Sequence, residues 1–293
     1  MIRVILNIAT PFLLAAVGGL FTELAGILNI ALEGLMLVGA FSAVIGTYFT
    51  GSLFIGILFG AFCGMIFSLV FSWAGLKLRA NIFIAGLAIN LLAVGVTTFV
   101  STGLFKTKGV IALTSTTGLS ALKIPFIHDI PFLGEILSGH TALTYFCWLF
   151  LIASAFMLKR TTFGLAVRAT GEDADLVKAN GKNPHLFRFV AVTISGFACG
   201  IAGASISLNL AAYVPNISAG RGWIALVAVY LGNRRPFGIA LACLIFALAE
   251  YLANFMQGRI AIPRTVTLAL PYLITLVSMI LFSLLRSRKN AKA

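Results

Sequence analysis

Charged residues are scarce in this chain. Only 10% of the 293 residues are Asp, Glu, Lys or Arg, whereas 60% are hydrophobic and the mean hydropathy is +1.06. Soluble domains contain about 25% charged residues, so this composition excludes an ordinary soluble protein. We predict an integral membrane protein that is embedded in the lipid bilayer.

Acidic residues are scarcer still than basic ones. The 8 Asp and Glu residues stand against 21 Lys and Arg residues, which gives a formal net charge of +13. The basic residues are dispersed between apolar runs and form no stripe with interleaved aromatic residues. The sequence therefore does not support nucleic acid as a partner.

Residues suited to metal binding or catalysis are also few. The 4 cysteines lie far apart without Cys-x-x-Cys spacing, and the 3 histidines are scattered. The sequence has no His-Glu-x-x-His motif, and Gly181-Lys182 is followed by Asn183 rather than by the Ser or Thr of an ATP-binding loop. We predict no metal site, no bound cofactor and no enzymatic activity.

Nine apolar segments approach the length that crosses a bilayer as a helix, which is about 20 residues. They are residues 4–22, 30–48, 52–76, 82–103, 140–158, 189–212, 221–232, 236–258 and 262–285. The seventh is too short for a regular crossing, which predicts a broken or re-entrant stretch around 215–220 that is shielded from lipid. The expected fold is an all-α polytopic membrane bundle that forms one domain over residues 1–293.

Two stretches of glycine at helical spacing predict tight packing between helices. They are Gly56, Gly60 and Gly64 on the third segment, and Gly196, Gly200 and Gly203 on the sixth.

The two halves of the chain resemble each other. Residues 33–36 (Glu-Gly-Leu-Met) and 221–224 (Arg-Gly-Trp-Ile) each open a helix, and similar pairs open the next two segments. The offset is five segments, and an odd offset turns the second copy upside down, as in the inverted repeats of many transporters. Chance similarity among small and apolar residues is the competing explanation.

Basic residues also predict the orientation in the membrane, because Lys and Arg concentrate in cytoplasmic loops. If the charged insert at 159–188 is cytoplasmic, most Lys and Arg residues lie on that side, together with the C-terminus. The long loop at 104–138 is then external. It is either a docking surface for a soluble substrate-delivery protein or a solvated linker.

Polar residues inside apolar segments are candidates for a solute pathway, because ionisable groups in a bilayer usually face a cavity or a partner. The candidates are Asn29, Glu33, Asn81, Asn90, Glu250 and Asn254. Two alternatives stay open: Glu33 can instead stabilise a helix N-terminus at the interface, and the others can be hydrogen bonds between helices.

The start of the short seventh segment offers further candidates. Arg221 and Trp223 open this helix, where backbone amides are unpaired. Tyr213 and Tyr230 lie nearby in sequence, so they could line an aromatic cavity for a planar neutral solute such as a nucleobase or flavin. An interfacial belt of aromatic residues is the alternative.

Four sequence blocks stand out along the chain: residues 29–41 (NIALEGLMLVGAF), 80–90 (ANIFIAGLAIN), 164–172 (GLAVRATGE) and 220–225 (GRGWIA). In this order they resemble the blocks of permease subunits of bacterial ABC importers for simple sugars and nucleosides, which are related to the branched-chain amino acid permeases. Together they span nearly the whole chain.

This resemblance implies a multi-pass permease in the bacterial inner (plasma) membrane, with a second permease, two ATP-binding subunits that use ATP, and an external substrate-binding protein. It also implies that a short cytoplasmic helix within 159–188 couples the permease to the ATPase. The residues in that place are Arg168, Gly171, Glu172, Asp173, Ala174 and Gly181. Gly181 comes later after Glu172 than in the common pattern of such helices.

The sequence thus predicts import of a nucleoside or a similar small solute, such as riboflavin or a simple sugar. The alternative is an ion-coupled secondary transporter that uses the intramembrane carboxylates of Glu33 and Glu250 as a proton relay.

Overall fold

The structure is a computed structural model that describes residues 2–113, 118–122 and 138–257. Its helices are α1 (Ile2–Leu24), α2 (Leu32–Thr50), α3 (Leu53–Ser72), α4 (Ile82–Phe105), α5 (Ala142–Arg160), α6 (Thr162–Glu172), α7 (Ala174–Ala179), α8 (Pro184–Leu210), α9 (Arg221–Leu231) and α10 (Pro236–Gln257). A π-helical turn, Trp73–Lys77, extends α3. Within these ranges α1 to α5, α8 and α10 are long and apolar enough to cross a membrane.

Two short strand pairs join the loops at one end of the bundle. Strand β1 (Ile111–Ala112) pairs antiparallel with β4 (Ala212–Tyr213), and β2 (Ala121–Leu122) pairs antiparallel with β3 (His140–Thr141). Because α6 and α7 lie at the opposite end, the two ends are called here the strand end and the α6–α7 end.

The prediction of a polytopic helical bundle is confirmed. The first eight of the nine apolar segments each coincide with a helix, and among these eight the seventh is the short helix α9. The ninth segment, 262–285, lies outside the described residues, as does most of the predicted loop 104–138. Helix α8 begins at Pro184, earlier than the predicted 189, because Asn183 caps it: the Asn183 side chain accepts a hydrogen bond from the His185 amide.

Helix α8 lies at the centre of the bundle and packs on α1, α2 and α3 through glycines. A methyl group on Gly200 would meet the backbone of Gly60 and Ala61, and one on Gly203 would meet the backbone of α2. Glycine removes the side chain that would keep these backbones apart, so van der Waals contact between the helices is maximal here. The predicted close packing of both glycine stretches is confirmed.

Helix α2 begins inside the bundle rather than at its end. The Arg188 side chain donates to the Ala25 carbonyl over 3.3 Å, and the Asn29 amide donates to the Ser195 hydroxyl over 3.0 Å. These partners are about two turns apart on α8, so the segment before α2 rises roughly 10 Å along α8. Later residues of α2 contact later residues of α8, which shows that the two helices run in the same direction.

Helix α9 also begins inside the bundle. Its first residue, Arg221, contacts Glu250 well within α10. Its far end lies near Glu23 in the last turn of α1, which accepts hydrogen bonds from Tyr230 over 2.8 Å and from Arg234 over 2.7 Å. Since the end of α1 packs on α6, α9 runs toward the α6–α7 end. Helices α2 and α9 thus start at a similar depth and run in opposite directions.

The Gly200→Ala substitution should destabilise the bundle by about 1–3 kcal/mol, because the added methyl group forces packed backbones apart. Thermal unfolding of the purified chain in detergent measures this. Gly95→Ala on α4 is the matched control, since a methyl group there meets nothing within 4 Å. Equal unfolding temperatures for the two variants would contradict the packing described for α8.

Candidate solute site and coupling region

The carboxylate of Glu33 caps the N-terminus of α9. Its two oxygens accept hydrogen bonds from the Gly220 amide over 2.8 Å and from the Gly222 amide over 2.7 Å. Gly220 has a φ of 83°, a conformation that favours glycine, and a side chain on Gly222 would collide with the Glu33 backbone. The negative charge also opposes the positive end of the α9 dipole.

The N-terminus of α2 is capped in a similar way by an amide from α4. The Asn90 oxygen accepts from the Gly34 amide over 2.8 Å, and its nitrogen donates to the Ile30 carbonyl over 3.0 Å. The Asn29 oxygen accepts from the Ala31 amide over 3.1 Å. Side chains therefore satisfy the backbone groups that both helix breaks leave unpaired, as a membrane interior requires.

Arg221 forms an ion pair with Glu250 across α9 and α10. The distance between guanidinium nitrogen and carboxylate oxygen is 2.5 Å, and a second guanidinium nitrogen donates to the Ile217 carbonyl over 3.1 Å. The two side chains are 24% and 16% exposed. The pair is charge-compensated but still accessible, so its remaining donors and acceptors can bind a neutral polar molecule.

A cavity of about 360 Å³ lies beside this ion pair, within the size range of small-molecule sites. Its lining residues are Val4, Asn7, Ile8, Pro11, Ser205, Ile206, Asn209, Arg221 and Glu250. We call it the polar cavity. The polar groups come from α1, α8, α9 and α10, and no aromatic side chain is among the lining residues that the structure describes.

The predicted pathway residues fall into two groups. Asn29, Glu33, Asn90, Arg221 and Glu250 gather around the two helix starts. The other three do not join them: Asn81 is exposed and caps α4 through the Phe83 and Ile84 amides, and Trp223 and Asn254 are exposed on the helix surface.

The predicted aromatic cavity is not formed by the two tyrosines. Tyr213 is buried with its ring centroid 4.9 Å from that of Phe41, and Tyr230 hydrogen-bonds Glu23 near the α6–α7 end. Sequence reasoning instead missed Asn7, Ser205 and Asn209 in the cavity. Asn7 and Asn209 carry amide side chains and lie near the ends of α1 and α8 at the strand end. Their polar side chains at these positions are the one sequence signal that could have indicated a place in the cavity.

The predicted coupling residues lie on two short helices and the turns that follow them. Asp173 separates α6 from α7, and its side chain accepts from the Asp175 and Leu176 amides over 2.9 and 3.1 Å, so it is the N-cap of α7. Gly181, with a φ of 72°, lies in the turn between α7 and α8. These caps explain why a charged insert folds into two helices.

Gly171 forms the contact between α6 and the membrane helices. Its Cα lies against the carbonyl of Leu24 and the amide of Gly26, and a side chain there would collide with both. Glu172 is exposed beside it, whereas Arg168 and Ala174 are half-buried. Gly171 therefore links the surface helix to the segment that leads into α2.

No group of three or more His, Cys, Asp or Glu residues that could hold a metal ion is found among the described residues.

Comparison with known proteins gives one family. Residues 1–282 match the family model described as "Branched-chain amino acid transport system / permease component". NupC of Lactococcus lactis subsp. cremoris, a nucleoside ABC transporter permease protein, is 32% identical over 285 residues, which cover 94% of this chain and 89% of NupC. TsgC13 of Haloferax volcanii, named as a glucose ABC transporter permease protein, is 34% identical over 249 residues, covering 83% of this chain and 74% of TsgC13.

A solved structure has the same fold. It is an inward-facing conformation of an ABC transporter described as of the metal-chelate type, with a TM-score of 0.53 and 17% sequence identity. The match covers 98% of this chain and 85% of that chain. At this identity the likeness shows the fold alone.

Glu33→Gln should lower the free energy of unfolding by about 1–3 kcal/mol, because the amide nitrogen of Gln faces a backbone N–H and leaves that donor unsatisfied. Thermal unfolding in detergent tests it. Asp175→Asn, an exposed carboxylate on α7, is the control and should change stability by less than about 0.5 kcal/mol. If the Glu33 variant is as stable as the control, the cap does not hold α9.

Proposed function

Because the chain belongs to the family of permease components of branched-chain amino acid transport systems, we propose that it is the membrane permease of an ABC importer. The solute is a nucleoside or a similar small molecule, such as riboflavin or a simple sugar. The observation that carries this proposal is the nearly full-length match to NupC. The match to TsgC13, which is named for glucose, is the reason that simple sugars are included among the proposed solutes.

The transport complex would contain a second permease, identical or different, two ATP-binding subunits and an external substrate-binding protein. ATP is then used by the partner subunits, because this sequence has no ATP-binding loop. The basic insert at 159–188 and the C-terminus would face the cytoplasm of a bacterial cell, which makes the strand end external.

The nine-span, inverted-repeat arrangement is supported by the two broken helices. Helices α2 and α9 correspond in the sequence repeat, start at a similar depth and run in opposite directions. Inverted repeats place such breaks together near the membrane midplane, where transporters bind solutes. The segment at 262–285 would supply the ninth span.

The polar cavity suits a neutral, hydroxylated solute. Arg221 and Glu250 cancel each other's charge, and Asn7, Ser205 and Asn209 add amide and hydroxyl groups. These groups both donate and accept hydrogen bonds, as do the hydroxyls of a ribose or a simple sugar. The absence of aromatic lining residues in the described chain points to recognition through hydroxyl groups rather than through stacking.

Coupling would proceed from α6 to the helix starts. An ATPase that moves α6 pushes Gly171 against the Leu24–Gly26 turn, and that turn leads into α2. The first turn of α2 carries Glu33, which holds α9 and so the position of Arg221. ATP would drive alternating access by favouring one arrangement of this network over the other.

The ion-coupled alternative is not favoured by the comparisons or by the geometry. The Glu33 carboxylate accepts two backbone hydrogen bonds and holds the start of α9, and the Glu250 carboxylate is paired with Arg221.

Replacing Gly171 by Val and Glu172 by Lys together should uncouple transport. In proteoliposomes holding the complete complex, solute uptake should fall at least about tenfold, since each 1.4 kcal/mol of lost coupling is tenfold, while ATP hydrolysis persists. Gly103→Val on α4, where a side chain meets nothing within 4 Å, is the control and should retain uptake. Unchanged uptake in the double variant, or uptake that a proton uncoupler abolishes while ATP is present, would contradict the proposal.

Asn209→Ala should raise the KM for uptake about two- to tenfold, because one neutral hydrogen bond to the solute contributes about 0.5–1.5 kcal/mol. Uptake of labelled nucleosides by the same complex measures it, and a 2′,3′-dideoxynucleoside should already compete poorly with the wild type. Thr102→Ala, an exposed residue on α4, is the control. Equal KM values for both variants would show that the polar cavity does not contact the solute.

A further inference from the structure

A second cavity lies at the α6–α7 end, where the π-helical turn after α3 approaches the start of α8. Its volume is about 510 Å³. The lining residues are Ser72, Trp73, Leu76, Lys77, Arg79, Asn183, His185, Leu186 and Phe189. We call it the basic groove. It is separate from the polar cavity, and neither the ion pair at Arg221 nor the Glu33 cap reaches it.

The polar part of the basic groove is suited to an anion. Lys77, Arg79 and His185 line it, and no Asp or Glu does so among the described residues. The groove also adjoins the N-terminus of the 27-residue helix α8, and the positive end of a helix dipole attracts phosphate groups.

A buried hydroxyl in the same groove has no hydrogen-bond partner within the described part of the chain. Ser72 is 2% exposed, and its oxygen forms no hydrogen bond with the described residues. Buried polar groups are nearly always hydrogen-bonded in native proteins, so this hydroxyl is a ready donor for a ligand oxygen.

The other part of the groove is apolar and continues along the membrane helix. Trp73, Leu186 and Phe189 are exposed hydrophobic residues at its edge. Exposed Phe62, Ile66 and Val70 precede Trp73 on α3; with spacings of four, four and three residues, they lie on one face. A ligand with a phosphate at one end and a long apolar chain would contact both parts.

We propose that the basic groove binds an anionic phospholipid from the leaflet at the α6–α7 end. The phosphate contacts Lys77, Arg79, His185 and the Ser72 hydroxyl, and an acyl chain lies along Phe62, Ile66 and Val70. Tryptophan residues commonly lie at the level of the lipid headgroups, which agrees with the position of Trp73. Basic pockets between membrane helices are also known to bind anionic headgroups.

The position of the groove gives the lipid a structural consequence. Asn183 and His185 belong to the turn and the first residues of α8 that directly follow α7. A bound headgroup would hold the start of α8 against the end of α3. The lipid would therefore stiffen the junction between the surface helices and the membrane helices.

Trp73 allows a direct test, because it is one of only 3 tryptophans in the chain. In a Trp148→Phe/Trp223→Phe background, the fluorescence of Trp73 is titrated with brominated phosphatidylglycerol or brominated phosphatidylcholine in detergent micelles. Quenching should reach its midpoint at a much lower mole fraction of the anionic lipid. Lys77→Gln/Arg79→Gln should weaken that binding about thirtyfold. Each basic residue near an anionic membrane surface contributes about 1 kcal/mol, and the loss of two such contributions corresponds to about that factor.

The control variant, Lys106→Gln/Lys108→Gln, removes two exposed lysines at the strand end and should leave the quenching unchanged. The proposal would be overturned by equal quenching by both lipids, by equal weakening in both double variants, or by displacement of the lipid by millimolar inorganic phosphate, which would indicate a site for free phosphate. Protection of Trp73 only when the ATP-binding subunits are added would assign the groove to those subunits instead. The experiment measures lipid binding rather than solute uptake, so its result does not depend on the proposed transport function.

Discussion

The two helix breaks of this bundle meet at Glu33, whose carboxylate lies in the first turn of α2 and accepts both hydrogen bonds at the start of α9. Helix ends leave backbone amides unpaired, and a membrane interior supplies no water for them. The Asn90 amide caps α2, so both helices can begin inside the bundle because a side chain caps each of them, and for α9 this is the charged cap of Glu33. The depth of Arg221, and with it the polar cavity, follows from that cap.

Glu33 also stands between the two regions that transport would have to connect. Toward the strand end, α9 carries Arg221 to Glu250 and the polar cavity. Toward the α6–α7 end, the segment before α2 contacts Gly171 and Arg188. At Gly171 and Gly222 these contacts leave no room for an added side chain. Movement at one region is thus expected to alter the other, which is the physical meaning of coupling between sites.

Much of the fold could be predicted because the bilayer imposes a length of about 20 apolar residues on each span. The same rule marked α9 as too short, and the glycine spacing indicated the faces that pack on α8. The candidate site was harder to predict from the sequence. Polar residues such as Glu33 and Glu250 stood out against apolar neighbours, but the sequence left open whether they bind solute or hold helices. The structure assigns Glu33 and Asn90 to helix caps, and it places Tyr213 and Tyr230 away from the polar cavity.

The sequence by itself determined that the chain is a membrane bundle, where its helices lie and which end is basic, since hydropathy and charge act locally along the chain. Only the tertiary structure decided the partners of each polar group. Glu33 and Gly220 are 187 residues apart, and Asn29 and Ser195 are 166 apart. Such pairs depend on how helices cross, which is set by packing of the whole bundle and leaves no mark in the local pattern.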